Sequence, residues 1–315
     1  LKASKICRSN KIAILVEPDD NVFMIGPMTD PNFTIPEQRN MGLSASKLEA
    51  IYQCTAKFKA EFIDKRIPFV ETEATKKGKI THTTCEKAIE TSGESLATIS
   101  DGVNDYTLER LADVICAPGE KFAEYKFGIN TAMNMAVRLA NNWDKQPNGQ
   151  PYLYTGSMDV RVVNGIYTTI MDWKTGKVYQ KADKGYEPKF NKDKINPIEA
   201  IIAEKRLQMD LYALAEFMLN PECQYIQAIY VFTTYEQHQE FRYERSKDYQ
   251  RLWQIFFDEA RWSWWRIKQW QEIGDMELPG TVTALCNWCP IKKTCLSFQT
   301  AVKANLIVEK NTNGS

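Results

Sequence analysis

The spacing of apolar and polar residues divides this chain into segments that want a helix and segments that want a strand. From residue 46, Leu48, Ile51, Tyr52, Thr55, Phe58 and Phe62 recur at helical spacing behind a Ser46-x-x-Glu49 capping box. Helical periodicity also covers residues 78–89, 107–116 and 200–218, the last with Leu207, Leu211, Leu214 and Met218 on one stripe. Residues 247–272 predict a further helix carrying Trp253, Trp262, Trp264, Trp265 and Trp270. An aromatic stripe of this kind reads as core, with stacking on single-stranded bases as the alternative. Strand-type runs lie at 122–127, 152–163, 166–173 and 225–233, and Asn164-Gly165 is a two-residue hairpin signal. Residues 1–40 read as short strands and loops around 12–16 and 22–25, interrupted by Pro18, Pro27, Pro31 and Pro36. The tail beyond 307 is polar and is expected to be disordered.

Composition narrows the picture without deciding it. At 315 residues, one large core is expected, with a strand and loop extension over 1–40, a main domain over 41–300 and a polar tail over 301–315. Forty basic and forty acidic residues cancel, so a nucleic-acid binder of this composition needs local basic patches. Lys177, Lys181, Lys184, Lys189, Lys192 and Lys194 offer one such loop, although interspersed Asp183, Glu187 and Asp193 fit a plain solvated loop equally well. No apolar run approaches the roughly 18 residues of a membrane span, and residues 12–16 are too short for a secretory core, so a cytoplasmic protein with no membrane partner is expected. Eight cysteines spread over such a chain favour metal ligands over a disulfide framework.

The hairpin carries the first chemistry. If Asn164-Gly165 forms the loop, Val163 faces Ile166 and Asp159 faces Ile170, with Asp172 two residues further along. Residues two apart on a strand share a face, so Asp159, Asp172 and Lys174 are expected on one side of the sheet. The two aspartates would sit diagonally, roughly 7–8 Å apart at Cβ. Two such carboxylates repel unless a cation or proton compensates them, and a hard ion such as Mg²⁺ or Mn²⁺ suits oxygen ligands. A solvated hairpin face with ordinary surface charges is the plain alternative.

The order of motifs adds to this. Gly156-Ser-Met-Asp159 followed by Asp172-Trp173-Lys174-Thr175-Gly176 resembles the paired motif of RecB-like PD-(D/E)XK nucleases. Gln208-x-x-x-Tyr212 on the next helix and Gly78-x-x-x-His82-x-x-x-Glu86 upstream match that family's Q-x-x-x-Y and G-x-x-x-H patterns in the expected order. The resemblance implies an α/β core of the restriction-endonuclease type, a central mixed sheet flanked by helices. It implies a metal held by His82, Asp159, Asp172 and the backbone carbonyl of Trp173. It further implies that Lys174 orients or deprotonates the attacking water, that Gln208 and Tyr212 support Lys174 or touch the DNA backbone, and that Glu124 is a further acidic helper. Glu124 as an ordinary surface strand residue stays open.

Cys286-x-x-Cys289-x5-Cys295 puts three thiols within ten residues, one short of a four-ligand site. Leu43-Ser-Ala-Ser-Lys-Leu-x3-Tyr-Gln-Cys54 resembles the segment that precedes the nuclease core in the iron–sulfur subgroup, which includes AddB nuclease domains and CRISPR adaptation nucleases. Thr55 stands where that subgroup carries proline, and one residue rather than two separates Tyr52 from Cys54. The resemblance implies a [4Fe–4S] cluster on Cys54, Cys286, Cys289 and Cys295, joining the N- and C-terminal helical segments. Structural zinc is the competing reading. Cys85 is the second candidate for the fourth ligand, and Cys7, Cys116 and Cys223 are expected to be buried free thiols. The function expected is metal-dependent hydrolysis of DNA, exonucleolytic on single-stranded ends in recombination, repair or phage DNA processing, with a helicase or recombination partner. The rivals are a non-catalytic DNA-binding or scaffolding subunit and a zinc-stabilised endonuclease acting within duplexes.

Overall fold

The computed structural model describes residues 42–68, 71–91, 103–130, 132–142, 144–175, 179–182, 185–188, 197–272, 278, 280–282, 286–287 and 289–307. The proposed strands at 12–16 and 22–25, Cys7, most of the lysine-rich loop and the tail beyond 307 lie outside these residues.

Helix α1 (Ala45–Gln53) starts two residues earlier than the capping box suggests. Ser44 caps it, its side chain accepting the Lys47 amide, while Glu49 accepts from Gln53 instead of closing a box with Ser46. The helix breaks at Cys54, whose backbone is extended (φ −166°), then resumes as α2 (Thr55–Phe58) and a π-helical turn (Lys59–Ile63). Helix α3 (Glu73–Glu90) is capped by Thr72 and α4 (Asp105–Cys116) by Asn104, each side chain accepting an amide of the first turn.

Strands β1 (Glu120–Ile129), β2 (Ala136–Arg138), β3 (Tyr154–Asn164) and β4 (Tyr167–Lys174) are antiparallel neighbours. A short hairpin, β5 (Tyr179–Ala182) with β6 (Gly185–Pro188), lies where the lysine-rich loop was expected. Helix α5 (Pro197–Leu219) then crosses over to β7 (Tyr225–Phe232), which pairs parallel to β4 as such a crossover requires. Strand β8 (Gln237–Glu244) adds an antiparallel edge that the periodicity did not announce, because its polar residues mask the alternation. The sheet runs β2-β1-β3-β4-β7-β8. Helix α6 (Arg245–Glu272) and α7 (Leu296–Lys303) complete the chain.

Two cores sandwich the sheet. Leu48 and Ile51 of α1, Leu211 and Leu214 of α5, and Leu252, Phe256 and Trp264 of α6 fill one face, while Cys85, Ala88, Leu111 and Val114 of α3 and α4 fill the other. The tryptophans of α6 divide between core and surface. Trp264 and Trp270 are buried, whereas Trp265 is 44% exposed. Cys223 is buried as expected, but Cys116 is exposed at the end of α4. Among the described residues no helix is long and apolar enough to cross a membrane.

Candidate active site and cysteine cluster

The hairpin differs from the sequence expectation in a way that matters for the site. Asn164 pairs with Tyr167 and Val163 with Thr168, so the loop is Gly165-Ile166, one place later than expected. Gly165 has φ +59°, suiting the hairpin turn that needs glycine first, whereas Asn164-Gly165 would have needed two positive φ angles. Each partner moves by two residues. Asp159 therefore lies opposite Asp172 along the continued register, in place of the diagonal arrangement.

The ladder itself is interrupted at that row. Strand β1 pairs Ala123 with Val160 and then Tyr125 with Met158, leaving Glu124 and Asp159 facing each other unpaired. Met158 belongs to one core and Val160 to the other, although two such residues on a regular strand would share a face. Tyr125 and Ala123 divide in the same way. Both strands thus switch faces at one point, as at a bulge, and Glu124 takes up the change with φ +45°. The consequence is a row of three carboxylates, Glu124, Asp159 and Asp172, across three adjacent strands.

The row is divided between the two faces, which corrects the expectation that Asp159, Asp172 and Lys174 project together. Asp159 and Glu124 meet α3: the Nδ1 of His82 is 3.4 Å from each carboxylate. His82, Glu124 and Asp159 bring ligand atoms within 4.8 Å of one another, a grouping that can hold a metal ion. Gly78, one turn before His82, lets α3 approach β4, since a Cβ there would lie 3.2 Å from the Thr175 hydroxyl. Ser157 donates to the second oxygen of Glu124 at 3.0 Å. Asp159 also accepts the Trp173 amide at 2.7 Å, replacing the ladder bond lost where β3 and β4 separate.

Asp172 and Lys174 meet α5 instead. Lys174 Nζ is 2.5 Å from Asp172 Oδ2, 3.0 Å from Gln208 Oε1 and 5.1 Å from the centre of the Tyr230 ring. Gln208 donates to Asp172 Oδ1 at 2.9 Å and to the Tyr212 hydroxyl at 2.7 Å, and accepts from Tyr230 at 3.2 Å. Tyr212 in turn donates to the Ser157 carbonyl at 2.5 Å and is buried, so its hydroxyl links Gln208 to β3. Tyr230 and Ser157 were not singled out in the sequence. Tyr230 sits opposite Asp172 only through the β4–β7 register, which no local pattern reveals.

The electrostatics suit a cation. Asp159 and Asp172 are both buried. Burial and the neighbouring Asp172 charge hold the Asp159 carboxyl above its usual range, against the opposing hydrogen bond from His82. Hydrogen bonds from His82 to Asp159 and Glu124 push the imidazole up to about 10, despite burial. Burial would raise Glu124, but the His82 and Ser157 hydrogen bonds leave it below the usual carboxylate range. Asp172 Oδ2 is buried with the Lys174 ammonium beside it but no donor aligned on it. Carboxylates crowded in this way fit a divalent ion.

A second cluster forms from four cysteines. Cys54 sits at the break between α1 and α2, Cys295 caps α7, and the turn between them and α7 carries Cys286 and Cys289. A Cβ at Gly280 would lie 3.3 Å from the Cys295 sulfur and 3.5 Å from the Cys54 sulfur, so this glycine leaves a cradle between two thiols from opposite ends of the chain. Burial pushes the Cys289 and Cys295 thiols up, and the charges of Cys54 and Cys286 add to it. Four cysteines brought near one another are the kind of donor set that structural zinc or a [4Fe–4S] cluster takes. Cys85 lies apart, buried on α3, where burial and Asp159 push it up to about 12.

A mixed sheet flanked by helices, with acids, a lysine and a glutamine converging on its central strands, defines a nuclease core of the restriction-endonuclease type. The sequence model of the PD-(D/E)XK nuclease superfamily matches residues 42–296, and the chain belongs to that superfamily. No curated protein matches the sequence. Among solved structures, the chain is similar to one titled "Crystal structure of SSO0001", at 12% identity over 77% of this chain and 95% of that one, with a TM-score of 0.26, too distant to carry an argument.

Proposed function

We propose that the protein is a Mg²⁺- or Mn²⁺-dependent deoxyribonuclease that hydrolyses phosphodiester bonds from single-stranded ends, and that it belongs to the RecB-like iron–sulfur branch of its superfamily. The observation that carries this is the Lys174–Asp172–Gln208 triad, placed beside the His82–Glu124–Asp159 group. Asp159, Asp172, His82 and the Trp173 carbonyl are the proposed ligand set, with Glu124 as the further acid. A divalent ion bound there would supply Lewis acidity toward the phosphate and a more acidic water.

The chain's own groups do the rest. Gln208 fixes Lys174 and Asp172 relative to each other. The Lys174 side chain is thereby held where, as an ammonium, it can offset phosphate charge and orient the water, and, as a neutral amine, it can help deprotonate that water. Tyr212 and Tyr230 keep the Gln208 amide from rotating. A scaffolding subunit would need no such triad. Asp172→Ala is expected to abolish cleavage of end-labelled single-stranded DNA while binding survives, and unchanged degradation would sink the assignment. Closed circles and blunt duplexes in the same assay separate an exonuclease from the duplex-specific endonuclease.

Cys54, Cys286, Cys289 and Cys295 are proposed to hold a [4Fe–4S] cluster that ties the two ends of a 41–300 nuclease domain, closing a loop of about 230 residues. The Gly280 cradle supports it. Protein purified without oxygen is expected to be brown with broad visible absorbance. A colourless, zinc-replete protein excludes the cluster. A recombination, repair or phage DNA-processing role, with a helicase partner and a cytoplasmic setting, accords with this activity.

A further inference from the structure

Beside the row of three carboxylates lies a second row with two lysines in it, and only Lys174 has a part in the site described above. The register pairs Lys126 of β1 with Ser157 of β3, and continuing it brings Lys174 of β4 into line. Each of the three stands two residues from its carboxylate, Glu124, Asp159 or Asp172. Lys174 turns toward α5, where Asp172 and Gln208 engage it. Lys126 turns the other way. Residues that face each other across two strands share a side of the sheet, and the Ser157 hydroxyl reaches Glu124 on the α3 side. Tyr125 and Phe127, the neighbours of Lys126 along β1, belong to the core on the opposite side, which places Lys126 on the α3 side independently. It stands beside the His82–Glu124–Asp159 group.

This lysine is not a plain solvated charge. It is half-buried, and among the described residues its ammonium has no hydrogen bond and no ion pair. Glu124 nevertheless feels it. Against burial, which would raise that carboxyl, the His82 and Ser157 hydrogen bonds and the charges of His82 and Lys126 hold it below its usual range. No acid follows Lys126 on β1, and the next position on its side is Gly128, packed against the Tyr152 ring. A cation next to a metal group works against the metal by like-charge repulsion, unless an anion joins them.

We infer that Lys126 binds the DNA phosphate adjacent to the scissile one, on the α3 side of the sheet, while Lys174 serves the scissile linkage. The inference deepens the proposed nuclease reading and rests on it for the choice of DNA as ligand. Two residues of regular strand separate Lys126 from Glu124 by about 7 Å, and the lysine stem adds reach beyond that. A phosphate held at the acids therefore leaves its neighbour in range of the ammonium. A lysine meets phosphate as a point charge, so the contact sets the path of the strand without reading its bases.

The test reads binding of fluorescein-labelled dT20 to the full chain in EDTA across a salt series, so that no cleavage intervenes. Lys126→Met is expected to weaken binding by about tenfold at low salt. It should also lower the slope of log Kd against log salt by about 0.7, the share of one single-stranded phosphate contact. Lys126→Arg should retain both affinity and slope. Lys121→Met, which removes a half-buried lysine elsewhere on β1, should change neither. With Mg²⁺ restored, Lys126→Met should raise KM for dT20 by about tenfold and leave kcat within about twofold. An unchanged slope in Lys126→Met overturns the inference, as does an equal loss in Lys121→Met, which marks a general attraction. Tighter Mg²⁺ binding with unaltered dT20 affinity also overturns it, in favour of a lysine that only balances the acids. Thermal melts check folding, and Lys126→Gln gives the same reading if the methionine variant does not fold. A wild-type chain that binds with this Lys126 dependence and never cleaves refutes the nuclease reading alone, whereas cleavage indifferent to Lys126 refutes only this contact.

Discussion

Gln208 uses every hydrogen-bonding position of its amide: two donors on Asp172 and Tyr212, two acceptor sites for Lys174 and Tyr230. Gln208→Glu would keep the acceptors, lose both donors and bring another negative charge against Asp172. Its kcat is expected to fall by about a hundredfold. Tyr212→Phe, which removes only a support, should lose far less. His82 carries a different prediction. Its imidazole is raised to about 10 from an ordinary 6.5. Raised basicity in the folded state adds stability that is fully present below about 6.5 and is lost as pH rises through 10. In EDTA the melting temperature should therefore decline across that window, and His82→Asn should flatten the decline. An unchanged slope in the variant would refute the pairing. At this scale the residue types were legible: Asp159, Asp172, Lys174, Gln208 and His82 stand at recognisable spacings. Tyr230 and Ser157 were not, because nothing adjacent in sequence ties them to the acids.

Among elements, the pairing of β3 and β4 with α5 depends on one buried ion pair. Arg161 Nε lies 2.6 Å from Glu216, which also accepts from Thr168 on β4, and Glu216 is fully buried. Glu216→Ala leaves Arg161 buried without its partner and should cost about 3–5 kcal/mol in urea unfolding. Arg161→Met combined with Glu216→Leu should recover most of that loss. Gly156 is a second point of close approach, since a Cβ there would meet the Phe127 ring at 2.6 Å and that of Tyr212 at 3.3 Å. Gly156→Ala is expected to destabilise by about 1–3 kcal/mol. Hairpin, crossover helix and parallel strand were readable as elements, because their periodicities are local. Strand β8 and the face switch at Glu124 and Asp159 were not. A strand that turns over at one residue leaves no mark in the alternation until both faces have partners.

For the whole molecule, the cysteine cluster joins segments far apart in sequence, so its loss should be felt beyond its own loops. Gly280→Val fills the cradle between the Cys54 and Cys295 sulfurs. On the proposed [4Fe–4S] reading it is expected to lower iron content and visible absorbance per chain, and to expose the C-terminal segment to limited proteolysis. Cys54→Ser should do the same, and full iron retention in it would point to another fourth ligand.

The sequence by itself determined which residues could do chemistry and the order in which the elements carry them. Residue type, helical period and hairpin signal are properties of short windows. Tertiary structure decided the rest. The loop moved by one place because glycine suits the first position of its turn. Packing against α3 on one side and α5 on the other set where the strands change face. That division sends Asp159 and Glu124 to His82 and Asp172 to Lys174, so the three carboxylates form one row held from both sides of the sheet.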